Sequence, residues 1–174
     1  QRVIYHNAMD VLSLVGVATQ VLGRHRQGDL GQLSASEALA VGRWHQRAGR
    51  FSPAENALRS AVDTSQGSLH LEALRRLAEY LKREGRAVPA LAAWAEWHDR
   101  APADPRPCVE LAKYYEWEGH DVDQASYWTQ EALDTLRRWP DDWRRQEEET
   151  RLVRRQSRLD GKRSTSAAGG GRLA

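Results

Sequence analysis

The fold is decided by residues 77–90, which have the sequence LAEYLKREGRAVPA. A large residue and a small one, Leu77 and Ala78, are adjacent, and Gly85 follows about two helical turns later. A small residue lets a second helix pack closely, and glycine favours the left-handed backbone that ends many helices. Ala90 supplies another small residue where the next apolar stretch begins. The stretch therefore predicts two closely packed helices joined by a tight turn.

The same pattern occurs three times along the chain, each time as a large–small pair, a turn glycine and a contact alanine. The three sets are Val41-Gly42, Gly49 and Ala54; Leu77-Ala78, Gly85 and Ala90; and Leu111-Ala112, Gly119 and Ala125. The turn glycines lie 36 and 34 residues apart. This period resembles that of the tetratricopeptide repeat, a helix pair of about 34 residues. The third set departs from the pattern, because one extra residue delays Ala125.

Apolar residues recur with helical spacing, and no strand pattern stands out, so the sequence predicts an all-α fold. We expect three tetratricopeptide-like units and a charged capping helix at residues 34–158. A disordered basic tail is expected at residues 159–174, where the composition becomes simple. The expected helices lie near residues 3–23, 34–48, 53–65, 68–84, 87–100, 107–118, 122–138 and 141–158.

The composition is that of a soluble globular protein, with 40% hydrophobic and 29% charged residues. No apolar run of about 18 residues is present, so the sequence predicts no association with a membrane. The single cysteine, Cys108, excludes an intramolecular disulfide and favours a cytoplasmic location.

The net charge of +2 is unevenly distributed. Residues 144–174 carry nine Lys or Arg and four Asp or Glu, whereas residues 1–143 carry 17 and 20. A basic C-terminal end can contact nucleic acid or other anions, and it can equally serve to keep the chain in solution.

A second informative stretch is at residues 1–23, QRVIYHNAMDVLSLVGVATQVLG. It predicts an apolar helix on which His6 and Asp10, four residues apart, share one face. Asp10 is followed directly by Val11 and Leu12. A carboxylate beside apolar neighbours is costly unless it is paired or binds a metal ion. His6 and Asp10 are therefore candidate site residues.

The segment from Tyr5 to Val11 resembles the last motif of ribonuclease H-like 3′–5′ exonucleases. The whole chain resembles bacterial predicted exonucleases of this type that carry tetratricopeptide repeats behind the nuclease domain. The resemblance implies that residues 1–27 are the last helix of an α/β ribonuclease H-like domain. It also implies that Asp10 is a ligand of Mg²⁺ or Mn²⁺ and that His6 is the general base or orients the attacking water.

The same resemblance leaves the roles of Tyr5 and His6 exchangeable, because family members use either residue type at slightly different spacings from the final Asp. It implies nucleic acid as the substrate of the parent nuclease domain. The remaining acidic ligands would lie upstream, so this segment by itself would be inactive, and whether the protein is an enzyme stays open.

The alternative hypothesis is a protein–protein interaction scaffold without a catalytic role. In that case the concave face of the repeats binds a peptide or helix from another protein, and Asp10 is incidental. Acidic motifs on upstream strands of the full gene would favour the nuclease, and their absence would favour the scaffold.

The seven tryptophans admit two interpretations. Core packing between stacked helices is one. The other is an aromatic surface that stacks bases or holds a peptide. The residues for such a surface would be Tyr114, Tyr115, Trp117 and Tyr127, together with Lys113.

Overall fold

The computed structural model of the protein describes residues 33–170, with side chains as far as residue 165. It divides into two compact units, Gln1–Thr64 and Ser65–Ala174. The helix expected at residues 3–23 lies outside the described residues, and so do His6 and Asp10.

The described part of the first unit is a helix pair, α1 at Ala35–Arg47 and α2 at Phe51–Thr64. A capping box begins α1: the N–H of Glu37 donates to Ser34 Oγ, and the N–H of Ser34 donates to Glu37 Oε2.

The contact between α1 and α2 is close because Gly42 has no side chain. A Cβ on Gly42 would lie 2.9 Å from both Cγ and Cδ2 of Leu58, which is fully buried. Ala54 and Ala57 of α2 are also fully buried. The small residue of the first large–small pair therefore lies where close packing needs it.

The second unit contains five helices in the described residues, and each packs against the next in chain order. They are α3 (Gly67–Arg83), α4 (Ala87–Arg100), α5 (Arg106–Trp117), α6 (Val122–Leu136) and α7 (Trp143–Gly170). The predicted all-α, tetratricopeptide-like fold is confirmed, and no strand is present between residues 33 and 170.

Two of the three predicted turn glycines have the left-handed backbone that ends a helix. Gly49 has φ 65° and Gly85 has φ 69°. Beyond Gly85, the N–H of Arg86 donates to the carbonyl of Leu81 at 2.9 Å, which closes the helix end as in a Schellman motif.

The third turn is different, and the prediction that Gly119 is the left-handed residue is wrong. The positive φ, 50°, is at His120. The N–H of Asp121 then donates to the carbonyl of Tyr115 at 2.9 Å, across a wider ring of atoms than in the other two turns. The extra residue in the third repeat of the sequence pattern is accommodated in this turn.

Helix α7 differs most from its expected bounds of 141–158. It begins at Trp143, because Asp142 accepts from the N–H of Arg145 at 3.0 Å and caps the helix. It continues to Gly170, so residues 159–170 are helical rather than disordered. Leu159 is fully buried, and Lys162 forms an ion pair with α5. These contacts hold the helix where composition alone indicated a tail.

Long side chains link the first helix of one repeat to the first helix of the next, and the last repeat to the capping helix α7. Lys82 of α3 donates to Glu110 of α5, and Arg155 of α7 donates to Glu116 of α5. Ion pairs between side chains therefore join α3 to α5 and α5 to α7, in addition to the packing of each helix on the next one in the chain.

We expect Gly42→Ala to destabilise the protein by about 1–3 kcal/mol, because the added methyl group overlaps buried Leu58. Gly161→Ala is the matched control, since a Cβ at this position of α7 would have no heavy atom within 4 Å. The control should stabilise by about 0.5–1 kcal/mol through helix propensity. Urea unfolding followed by circular dichroism measures both. Equal stability of Gly42→Ala and wild type would contradict the close approach of α1 and α2.

Candidate functional site

A groove with a volume of about 520 Å³ lies between α5 and α7. Both helices contribute residues at the same helical spacing, i, i+3, i+4 and i+7, so each presents one continuous face. These residues are Arg106, Val109, Glu110 and Lys113 of α5 and Arg144, Glu147, Glu148 and Arg151 of α7. The groove is therefore on the face formed by the first helices of the second unit.

The floor of the groove is apolar. Leu136 and Leu152 reach it from α6 and α7, and both are buried. They belong to a core cluster with Cys108, and Val109 and Trp139 pack against that cluster. The floor is thus part of the packed interior, and its position is fixed by helices.

Two tryptophans complete the groove: Trp139 lies in the connection between α6 and α7, and Trp143 is the first residue of α7. The indole N–H of Trp139 donates to the carbonyl of Ala103 at 3.0 Å, which ties this connection to the turn before α5. Trp143 is 67% exposed, and the guanidinium of Arg144 lies 5.3 Å from its ring centroid. An exposed aromatic ring beside an apolar floor is suited to bind another apolar side chain.

The rim of the groove carries fixed ion pairs. Burial alone would raise the pKa of Glu110, but hydrogen bonds from Lys113 and Lys82 hold that pKa below its usual value.

Arg106 binds Asp104 through two of its nitrogens and lies over the ring of Trp97 at 5.1 Å. Arg144, in contrast, has no ion pair within the described residues. The rim can therefore orient a polar chain above the apolar floor.

A buried carboxylate fixes the position of α7 against α5. Glu116 has a fully buried side chain that accepts hydrogen bonds from Arg155 at 2.6 Å, Arg158 at 2.8 Å and Lys162 at 2.9 Å. Burial alone would raise the pKa of Glu116, but the three cations lower it to about 2. One wall of the groove is therefore held in place by a buried charge cluster.

The residues of the alternative interpretation, an aromatic surface, make separate contacts in the structure. Tyr114 and Tyr115 pack edge to face with each other, at 5.3 Å between ring centroids. Tyr127 packs in the same way on Trp128 of its own helix. Trp117 is exposed beneath Arg158 and Lys162, and Lys113 lies in the groove at Glu110.

The core-packing interpretation holds for some tryptophans and not for others. Trp94 and Trp97 of α4 are buried, whereas Trp44, Trp117 and Trp143 are substantially exposed. Sequence reasoning missed Trp139 and Trp143 as site residues. The available signal was their spacing around the Pro-Asp-Asp turn, which places one tryptophan on each side of a helix boundary.

The roles of His6 and Asp10, and the binding of Mg²⁺ or Mn²⁺ by Asp10, remain predictions about residues outside the described part of the chain. Among the residues that the structure does describe, no three His, Cys, Asp or Glu side chains cluster so as to hold a metal ion. Burial raises the pKa of Cys108 to about 12, which leaves its thiol protonated and unreactive.

His70 has a structural role. Its Nε2 lies 3.1 Å from Glu96 of α4, and its Nδ1 lies 3.4 Å from Ser65 Oγ. Both His70 and Ser65 are buried, so the contacts from Ser65 through His70 to Glu96 join the start of α3 to α4.

The described residues form a helical repeat with a tetratricopeptide-like fold. Comparison with solved structures finds PcrH from Pseudomonas aeruginosa, at 15% identity and a TM-score of 0.58, over 72% of this chain and 91% of that one. PcrH in complex with the chaperone binding region of PopB also matches, at 17% identity and a TM-score of 0.54, over 74% and 98% of the two chains. At this identity the likeness concerns the fold.

No protein-family model matches the chain, and no curated protein matches it either. Within the described residues, no helix is both long enough and apolar enough to cross a membrane.

We expect Glu116→Gln to lower the free energy of unfolding by about 3 kcal/mol at neutral pH, because three cations then lack their carboxylate. The folded pKa of Glu116, about 2, is below the ordinary value of 4.5. Its stabilisation is therefore present above pH 4.5 and is lost as the pH falls towards 2. The difference between wild type and variant should shrink over that interval in urea titrations.

Glu118→Gln provides the control, because Glu118 is exposed two residues further along the chain, at the end of the same helix. It should change stability by less than about 0.5 kcal/mol. A difference between wild type and Glu116→Gln that stays constant with pH would contradict the ion-pair explanation.

Proposed function

We propose that this protein is a partner-binding scaffold whose groove between α5 and α7 binds an apolar side chain from a segment of another protein. The observation that carries the proposal is the exposed ring of Trp143 beside the apolar floor of Leu136 and Leu152. Exposed aromatic residues next to buried apolar surface are frequent energetic centres of protein interfaces.

The dimensions of the groove support a side chain as its occupant. A volume of about 520 Å³ accommodates a large apolar side chain with part of the adjoining backbone. The rim charges alternate in sign along both helices, with Arg106, Glu110 and Lys113 on α5. Such a rim suits the polar groups of a peptide better than a long polyanion.

The likeness to PcrH supports the scaffold over the nuclease fragment. PcrH shares the fold, and one of its solved structures contains the chaperone binding region of PopB. The fold thus presents a binding surface for a protein segment in a structural neighbour. The nuclease hypothesis depends on residues 1–23, to which neither the described groove nor this likeness adds support.

The test is a selection of peptides from a random library displayed on phage, with the full chain immobilised as the target. We expect the enriched peptides to share a large apolar residue. Trp143→Ala should weaken their binding about tenfold in fluorescence titrations, because the indole supplies one side of the binding site.

Tyr127→Ala is the matched control, since Tyr127 is 52% exposed on α6 and does not line the groove. Its binding should equal that of the wild type. Failure to enrich any peptide, or an equal loss of binding in both variants, would contradict the proposal.

A further inference from the structure

We propose that a basic stripe on α7, formed by Arg154, Arg158 and Lys162 beside Trp117, binds acidic residues of the segment that occupies the groove. This inference rests on the proposed function and states the chemistry of the partner: a segment with an apolar residue followed or preceded by several Asp or Glu.

The stripe continues the same face of α7 that lines the groove. Arg154, Arg158 and Lys162 are spaced by four residues, so they follow one another along the helix at intervals of about 6 Å. Arg151, at the rim of the groove, lies within one turn of Arg154. A single bound segment can therefore contact the groove and the stripe together.

The stripe has more positive charge than its neighbours neutralise. Arg155, Arg158 and Lys162 share one carboxylate, that of Glu116. Arg154 is exposed and has no ion pair with any described residue. Between residues 151 and 163 the helix carries six Lys or Arg and one acidic residue. Of the six, Arg151 pairs with Glu147 and Glu148, and Arg163 pairs with Asp123. The charge of Arg154, and the part of the charge of Arg158 and Lys162 that Glu116 leaves unbalanced, are available to an anionic partner.

Trp117 adds an aromatic surface to this charge. It is 58% exposed, and Lys162 Nζ lies 4.4 Å from its ring centroid while Arg158 Cζ lies at 5.6 Å. These contacts, together with the ion pairs to Glu116, restrict the two cations to positions beside the ring. The entropy cost of ordering them for a bound carboxylate is thereby reduced.

An acidic protein segment fits the molecule better than a nucleic acid. Residues 33–143 carry 14 Lys or Arg and 18 Asp or Glu, so the rest of the described chain repels a long polyanion. Nucleic-acid binding commonly neutralises about 6–10 phosphates, which is more than this stripe can contact. A short acidic segment needs only the few cations that α7 exposes.

The test extends the phage selection. The peptides enriched on the wild type should contain Asp and Glu beside their apolar residue, above the frequency in the library. A labelled enriched peptide should bind Arg154→Glu about tenfold more weakly. Its affinity should also fall as salt rises, because the added ions screen the exposed charges.

Arg138→Glu is the matched control, since Arg138 is exposed, has no ion pair with a described residue and lies beyond the end of α6. It should bind like the wild type. Enriched peptides with an apolar residue but no acidic enrichment would overturn this inference and leave the proposed function intact. Equal weakening by Arg138→Glu, or tighter binding of a single-stranded RNA oligonucleotide than of the peptide, would also overturn it. Failure to enrich any peptide would remove both proposals.

Discussion

Close approach between paired helices is the constraint on which the rest of this structure depends. At Gly42 the two helices are so close that any side chain would overlap Leu58. Ala78 and Ala112 are fully buried at the corresponding places in the second unit. Small residues at these contacts allow the larger neighbours, such as Leu77 and Leu111, to fill the space around them. The helix pair repeats because small residues recur at these contacts, and the contact at Ala112 positions α5.

The charge cluster at Glu116 fixes α7 against the helix pairs that precede it. A carboxylate with a fully buried side chain is stable only when cations replace the water it has lost, and Arg155, Arg158 and Lys162 do so from a single helix. Their geometry sets how α7 lies on α5. The groove and the basic stripe are therefore two parts of one helix surface.

Much of the fold could be predicted from local sequence, because its signals act within a few residues. Glycine after α1 and α3, the capping residue Ser34 and prolines such as Pro107 in a first turn all act on neighbouring backbone. The bounds of α1 to α6 accordingly lie close to those expected. The third turn and the end of α7 were missed. His120 takes the left-handed conformation because the turn is one residue longer. Residues 159–170 continue the helix, and Lys162 within them pairs with Glu116, which is distant in sequence.

The sequence by itself determined the all-α repeat, its period and its first two turns, since helix propensity, caps and apolar spacing are local properties. It also supports a prediction about His6 and Asp10, on residues outside the described part of the chain. Only the tertiary structure decided where the groove lies and that Glu116 is buried. Those features join Ala103 to Trp139 and Glu116 to Lys162, residues 36 and 46 positions apart. Such pairings depend on how helices pack in space, and helical periodicity carries no information about them.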